Sequence, residues 1–348
     1  MPQLSNENKI DIKSLLLDEV KQSFSDLSLP SFRAKQVFSW LCRGVDDFAL
    51  MTDISKDLAN TLNEKYEIKT CKIAKKLCSQ LDETVKYLFE LNDGELLESV
   101  VMKYKHGYSI CISTQIGCKM GCSFCASGLN GFIRNLTPSE MLSQITAAQN
   151  DLNIRISNIV LMGMGEPLDN FDNVVRFLKL VSNEDGLNIG LRHISLSTSG
   201  IVPKIYELSQ LNLPITLSVS LHAPNDKIRS SIMKVNDTYG VQELICACKK
   251  YFECTGRRIS YEYAIIKDVN DTPECARQLA SLLKDTCAHI NLIPANPVNE
   301  NDYKTPNRDN IIAFQNLLVK YGLNVTIRRT LGRDINASCG QLRNRNKR

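Results

Sequence analysis

No apolar run in the sequence approaches the ~18 residues that a membrane-spanning helix needs. The start, Met1-Pro2-Gln3-Leu4-Ser5-Asn6-Glu7, lacks the basic and apolar segments of a secretory signal, so a cytoplasmic location without membrane attachment is expected. Internal repeats and low-complexity stretches are missing too, which argues against solenoid and disordered architectures. With 43% apolar and 23% charged residues the chain has the composition of an ordinary globular protein, which also excludes a collagen-like one. Thirteen cysteines are present, yet an odd count without an export signal argues against a disulfide framework.

Charge is unevenly distributed. The net charge is +4, but residues 328 to 348 alone carry Arg328, Arg329, Arg333, Arg343, Arg345, Lys347 and Arg348 against Asp334. A basic tail of this kind suits contact with phosphate and equally suits a solvated terminus. Eight cysteines (Cys42, Cys71, Cys78, Cys246, Cys248, Cys254, Cys275 and Cys287) lie in helical or strand patterns, where a packed thiol is the default expectation.

At ~100 to 200 residues per domain, the 348 residues suggest two units. Residues 1 to 95 read as an accessory region. Apolar residues at helical spacing run through 10–24, 34–41 and 58–66, and a hairpin over 85–91 and 96–104 turns at Asn92-Asp93-Gly94. Residues 96 to 348 read as the core. From about residue 105, strand candidates (108–113, 157–162, 193–197, 215–221, 259–266, 290–293 and 325–328) alternate with helix candidates (138–149, 171–181, 202–208, 241–252, 273–283 and 310–321). Such alternation predicts an α/β fold with a parallel sheet and outer helices. Six or seven units are too few for a closed eightfold barrel, so a partial, open barrel is expected, with chemistry at the C-terminal strand ends.

The first of these strand ends carries Gln115-Ile116-Gly117-Cys118-Lys119-Met120-Gly121-Cys122-Ser123-Phe124-Cys125. A structural zinc site normally uses four ligands, and no second cysteine pair follows, although His106 or His222 would supply a fourth. A four-iron cluster held by three thiolates leaves one iron open. The spacing Cys-x3-Cys-x2-Cys, with an aromatic residue before the last cysteine, resembles the radical S-adenosylmethionine (SAM) signature. That resemblance implies a [4Fe-4S] cluster on Cys118, Cys122 and Cys125. Its open iron would chelate SAM and cleave it to a deoxyadenosyl radical. The next strand ends in Met162-Gly163-Met164-Gly165-Glu166-Pro167-Leu168. It imitates half of a dinucleotide fingerprint but has Leu168 where a third glycine belongs. It resembles the SAM-binding Gly-Glu segment, with Gly165 allowing close backbone approach and Glu166 offering an acceptor. Later strand ends carry Ser195 to Gly200, Ser218 to Asn225 and Pro294 to Pro297, small polar groups able to line a nucleoside pocket.

Over nearly its whole length the sequence resembles the RlmN family of 23S rRNA adenine-C2 methyltransferases. The likeness is carried by Phe32 to Phe38, Met51 to Lys56, Cys111 to Leu136, the Gly-Met-Gly-Glu-Pro stretch and Asp334 to Leu342. The related Cfr family, which methylates C8 of the same base, lacks the proline found here as Pro167. Ring C2 of adenine is electron-poor and cannot attack a methyl sulfonium, so a radical route is required. The resemblance implies a monomer that uses two SAM per turnover, an electron donor and a thiol reductant, with 23S rRNA and tRNA as substrates. It implies that Cys339 carries the methyl group, Glu98 accepts a proton, and Cys111 releases the product by forming a transient disulfide with Cys339. Gly165, Glu166, Ser197, Ser220, Leu221, His222 and Asn296 match its cofactor-contacting positions. Placement alone reads differently: Glu98 as a solvated strand residue, Cys111 and His222 as core, and Cys339 as a spare thiol in a mobile tail. Arg33, Lys35 and Trp40 form a candidate RNA platform, against the alternative of a solvated face with a core tryptophan. A radical SAM enzyme acting on a small metabolite and a zinc-stabilised RNA-binding protein are the competing expectations.

Overall fold

The computed structural model describes residues 9–129, 131–296 and 302–342. Pro297 of the last loop and Arg343, Arg345, Lys347 and Arg348 of the basic tail lie outside those residues, as does Met1 to Glu7. At the N-terminus, β1 (Ile10–Asp11) pairs in parallel with β2 (Tyr66–Glu67), enclosing α1 (Leu17–Asp26), α2 (Ser31–Cys42) and α3 (Lys56–Lys65). These helices bury Val20, Phe24, Val37, Leu41 and Leu62. The first helix starts later than its apolar periodicity suggests, because Glu19 accepts from the Leu16 backbone N–H (2.7 Å) and caps it there.

Next come β3 (Cys71–Cys78), β4 (Val85–Leu91), β5 (Leu96–Tyr104) and β6 (Gly107–Cys111), joined as an antiparallel meander. β7 (Gln115–Gly117) and β8 (Phe132–Asn135) form a small hairpin. The alternating part follows: α4 (Pro138–Leu152), β9 (Ile156–Leu161), α5 (Phe171–Val181), β10 (Ile194–Thr198), α6 (Val202–Gln210), β11 (Thr216–Ser220), α7 (Asp226–Ile232) and α8 (Val241–Thr255). It continues through β12 (Ile259–Ile265), α9 (Pro273–Leu283), β13 (Ala288–Pro294), α10 (Arg308–Lys320) and β14 (Asn324–Ile327).

Among the described residues the main sheet has ten strands in the order β14-β13-β12-β11-β10-β9-β6-β5-β4-β3. The pairs from β6 to β14 are all parallel, so the chain forms the expected open, partial α/β barrel, extended at one edge by the meander. β3 escaped the sequence pattern because it is an exposed edge strand whose lysines Lys72, Lys75 and Lys76 give no buried alternation. The short α7 escaped because only Arg229 and Ile232 are buried in it.

The cysteine expectation needs correcting. Cys42, Cys248 and Cys275 are buried, but Cys78, Cys246, Cys254 and Cys287 are exposed and Cys71 is half-buried. Cys78, Cys246 and Cys254 lie on exposed strand or helix faces and Cys287 in the loop before β13, so periodicity alone overstated their burial.

Candidate active site

The strand ends are held rigidly before any of them meets a ligand. α4 begins with a capping box in which Glu140 accepts from the Thr137 N–H (2.9 Å) and Pro138 opens the helix. Further along α4, the buried Gln144 amide grips both backbone groups of Ser113, accepting from its N–H at 2.8 Å and donating to its C=O at 3.0 Å. That grip fixes the chain leaving β6, and the β7–β8 hairpin then frames the cysteine loop, where Cys118 N–H donates to Gly131 O (3.2 Å).

Cys118, Cys122 and Cys125 line one cavity of about 170 Å³ together with Gly165, Glu166, Ser197, Ser220, His222, Asn296 and Cys339. Burial pushes the Cys118 thiol up to about 12, and it raises Cys122 and Cys125 as well. Three half-buried thiols facing one cavity are a donor set for a soft cation that holds them as thiolates. Among the described residues, no three His, Cys, Asp or Glu side chains converge as ligands of a single metal ion. A four-iron cluster instead spreads its thiolates over separate irons, so the donor set fits the cluster better than zinc.

The floor beside the thiols is built by the Gly-Met-Gly-Glu turn. Gly165 has φ +101°, and a Cβ there would lie 2.6 Å from Gln115 Cβ. A Cβ on Gly163 would meet Ile112 O at 2.6 Å. Both positions exclude side chains. The buried Glu166 carboxylate accepts from the N–H groups of Ser199 (2.6 Å) and Leu168 (3.0 Å), while its own N–H donates to Gln115 Oε1 (2.8 Å). Burial raises the Glu166 carboxyl against those hydrogen bonds. Glu166 lines the cavity, and its carboxylate is the group there able to accept from an ammonium group.

His222 adopts φ +56°, and its Nδ1 accepts from Ala264 N–H (2.8 Å), so any ring proton sits on Nε2. Burial, aided by Arg229, pushes its pKa down to about 3 and keeps the ring neutral. Phe124, between Cys122 and Cys125, meets this ring edge-on at 4.9 Å. His222 is thus both satisfied in the core and exposed to the cavity. Leu221 is fully buried and does not line the cavity; its carbonyl is held by Arg229.

A second, smaller cavity of about 40 Å³ shares Asn296, Met162, Arg328 and Cys339 with the first and adds Cys111, Val100, Met102 and Tyr104. Cys111 and Cys339, far apart in sequence, therefore face the same space. Burial and the neighbouring Cys339 push the Cys111 thiol up to about 12. The segment carrying Cys339 is anchored, which corrects the expectation of a mobile tail. Gly340 O accepts from Ala126 N–H (2.8 Å), Cys339 O from Asn296 Nδ2 (3.0 Å), and Leu342 O from Ser127 Oγ (2.7 Å).

Glu98 is buried, correcting the solvated reading. It is ion-paired at 3.0 Å with Lys86, whose Nζ also donates to Asn336 O at 2.8 Å. Glu98 lines neither cavity; it lies two residues from Val100 on the same strand face. Of the suggested RNA platform, Trp40 is half-buried and donates to Asp53 Oδ1 (2.6 Å), Lys35 pairs with Asp185 (3.0 Å), and Arg33 donates to Gln36 and Asp53 (2.9 Å).

Several residues of the site had no signal in the sequence. Arg229, on the unrecognised α7, is fully buried and donates to the carbonyls of Ser199 (2.6 Å), Ser220 (3.1 Å) and Leu221 (3.1 Å). Gln115 joins Glu166 to Asn135 and Asp169. Arg328, counted in the sequence only as part of a basic tail, lines both cavities beside Cys339, and the Glu262 carboxylate is its charged neighbour.

Comparison with known proteins agrees with this architecture. The radical SAM superfamily model matches residues 112–283, and the ribosomal RNA large subunit methyltransferase N-terminal domain matches residues 10–68. A "probable dual-specificity RNA methyltransferase RlmN" from Alkaliphilus oremlandii is 53% identical, covering 96% of this chain and 98% of that protein. One of the same name from Clostridium novyi is 51% identical over 96% of this chain and 97% of its own length. The crystal structure of a radical SAM methyltransferase from Sphaerobacter thermophilus superposes with a TM-score of 0.92 at 39% identity, covering 96% and 99% of the two chains. The chain therefore belongs to the RlmN family of dual-specificity radical SAM RNA methyltransferases.

Proposed function

We propose that this enzyme methylates C2 of adenine in the peptidyl-transferase centre of 23S rRNA and beside the anticodon of tRNA. It acts as a cytoplasmic monomer, with residues 1–95 as an accessory, RNA-contacting region and residues 96–348 as the catalytic core. A [4Fe-4S] cluster on Cys118, Cys122 and Cys125 and two SAM molecules per turnover would supply the methyl group and the radical that abstracts hydrogen. The chain's own groups do the rest. Gly165, Glu166, Ser197, Ser220, His222 and Asn296 bind and orient the cofactor, while Leu221, whose N–H and C=O are engaged by Glu262 and Arg229, only holds the strand end behind them. Cys339 Sγ carries the methyl carbon to C2, so enzyme and RNA become covalently joined. Glu98 accepts the proton that leaves C2. Cys111 Sγ then attacks Cys339 Sγ. The bond from that sulfur to the transferred carbon breaks with its electron pair left on the carbon, which takes a proton to become the methyl group. The adduct's surplus electron would return to the cluster, and a Cys111–Cys339 disulfide remains.

Support comes above all from one juxtaposition: Cys111 and Cys339 line a single small cavity that adjoins the cavity of the three cluster thiols. A metabolite-modifying enzyme would have no need of a second thiol pair at that position. Burial works against the role of Cys111, since it pushes that thiol up to about 12 and attack requires a thiolate; Arg328 is the neighbouring charge that favours the thiolate. The decisive test is anaerobic reaction of the iron-loaded enzyme with protein-free 23S rRNA, followed by nucleoside mass spectrometry. Formation of 2-methyladenosine, lost in Cys339→Ala, is expected. Formation of 8-methyladenosine alone would transfer the enzyme to the other regiochemistry.

A further inference from the structure

The barrel holds a third cavity, about 360 Å³, at the end opposite the cluster. Its walls are Ser195, Thr216, Ser260 and His289, each the first or second residue of β10, β11, β12 or β13, whereas the catalytic cavity sits at the far ends of those strands. The space would hold several waters or one small molecule. Its charge is one-sided. Arg258, Arg328 and Arg329 line it against a single carboxylate, Glu262, which is already engaged by Asn291 Nδ2 (2.7 Å) and Ser260 Oγ (3.1 Å). Arg258, just before β12, is exposed and marks the mouth at the strand starts, whereas Arg329, exposed beyond the end of β14, also lines the cavity of the thiol pair. Burial and Arg258 lower the pKa of His289, leaving the arginines as the cationic groups.

The rear cavity also abuts the thiol pair. It shares Tyr104, Met162, Arg328 and Arg329 with the cavity lined by Cys111 and Cys339. The partition includes two flexible side chains, Arg328 and Met162, which meet at 3.8 Å between Nη1 and Sδ.

We propose that this rear cavity is an entry port for a small, carboxylate-bearing thiol that reduces the Cys111–Cys339 disulfide. The inference rests on the proposed disulfide. The thiolate attacks one sulfur of the disulfide; the S–S bond breaks and its electron pair leaves on the other cysteine, which takes a proton from solvent. A second thiolate then attacks the mixed disulfide, releasing the oxidised small thiol and the second cysteine thiolate. Two electrons reach the protein and one small-molecule disulfide departs. The arginines draw the carboxylate inward along the barrel, while RNA and cofactor use the other end.

The test uses iron-loaded full-length enzyme oxidised anaerobically with diamide, with Cys111–Cys339 linkage verified by peptide mass spectrometry. Second-order reduction rates are measured with 3-mercaptopropionate and with neutral 2-mercaptoethanol, for the parent and for Arg258→Ser, which alters the rear cavity but not the cavity of the thiol pair. Comparing each thiol with itself across the two proteins cancels its intrinsic reactivity. The 3-mercaptopropionate rate is expected to fall about 10-fold or more, from loss of steering charge, and the 2-mercaptoethanol rate less than about twofold. Thr216→Trp, which places bulk in the same cavity, is expected to slow both thiols. Equal sensitivity of the two thiols to the arginine change, or no change in either rate, overturns the port while leaving the methyltransfer reading intact. Absence of any Cys111–Cys339 linkage refutes that reading and the port with it.

Discussion

Arg229 provides a stringent test of how the site is held together. Its guanidinium is fully buried and has no carboxylate bonded to it among the described residues; it donates instead to Ser199 O, Ser220 O and Leu221 O and to Asn236 Oδ1 (3.0 Å). Burial pushes its pKa down only to about 10, so it stays charged at neutral pH. Each hydrogen bond from a charged donor contributes about 1.5–3 kcal/mol, and burying the cation costs several kcal/mol in return. Arg229→Met removes the donors and leaves buried carbonyls unsatisfied, which points to a net loss of about 1–3 kcal/mol once the relief from burying a cation is set against it. Because Ser199 and Ser220 line the cofactor cavity, the loss should appear in binding as well as in folding. Equilibrium urea unfolding and SAM binding by calorimetry on the reconstituted enzyme would measure both. We expect destabilisation in that range and SAM affinity at least about 10-fold weaker, equivalent to about 1.4 kcal/mol. Destabilisation under about 1 kcal/mol with unchanged SAM affinity would refute the view of Arg229 as the clamp on these strand ends.

Three further outcomes follow from named contacts. His222 has a folded pKa of about 3, below its ordinary value of 6.5, so the unfolded chain binds the extra proton. Its contribution is complete above about pH 6.5 and is lost as pH falls towards 3, at up to about 1.4 kcal/mol per pH unit. His222→Asn, which tolerates the positive φ, should flatten the stability profile between about pH 4 and 6 in acid-unfolding curves; an unaltered slope would count against a buried neutral ring. Gly165→Ala should cost at least about 2 kcal/mol by urea unfolding, because its Cβ would press on Gln115 at 2.6 Å from a positive φ; a neutral effect would show that the turn can move. Cys111→Ala should still join enzyme to RNA but fail to release it, leaving an adduct visible on a denaturing gel that Cys339→Ala never forms.

Legibility in the sequence tracked how each residue interacts. The strands β9 to β14 were readable because Ile, Val and Leu recur where a sheet buries both faces, and their observed limits differ from the expected ones by only a few residues. The cluster cysteines and the Gly-Met-Gly-Glu turn were readable because ligand spacing and the steric emptiness of glycine are local properties. Arg229, Gln115 and Arg328 were not, because their partners are carbonyls, amides and thiols supplied by distant segments. The exposed cysteines and the edge strand β3 misled or escaped for a related reason: periodicity reports a potential face, and only the neighbours decide whether it is covered.

The sequence by itself determined the class of chemistry, since three closely spaced thiols and a glycine-rich turn at strand ends are covalent facts of the chain. Tertiary structure alone decided that Cys339 and Cys111 share a wall, that Glu98 is paired with Lys86, and that a cationic cavity backs onto the thiol pair. Cys111, Cys339 and the arginines come together from opposite ends of the core through the order of the parallel strands, whereas Lys86 and Glu98 meet across the antiparallel β4–β5 pair. Long-range juxtaposition of that kind is set by how sheet and helices pack, and no local spacing encodes it.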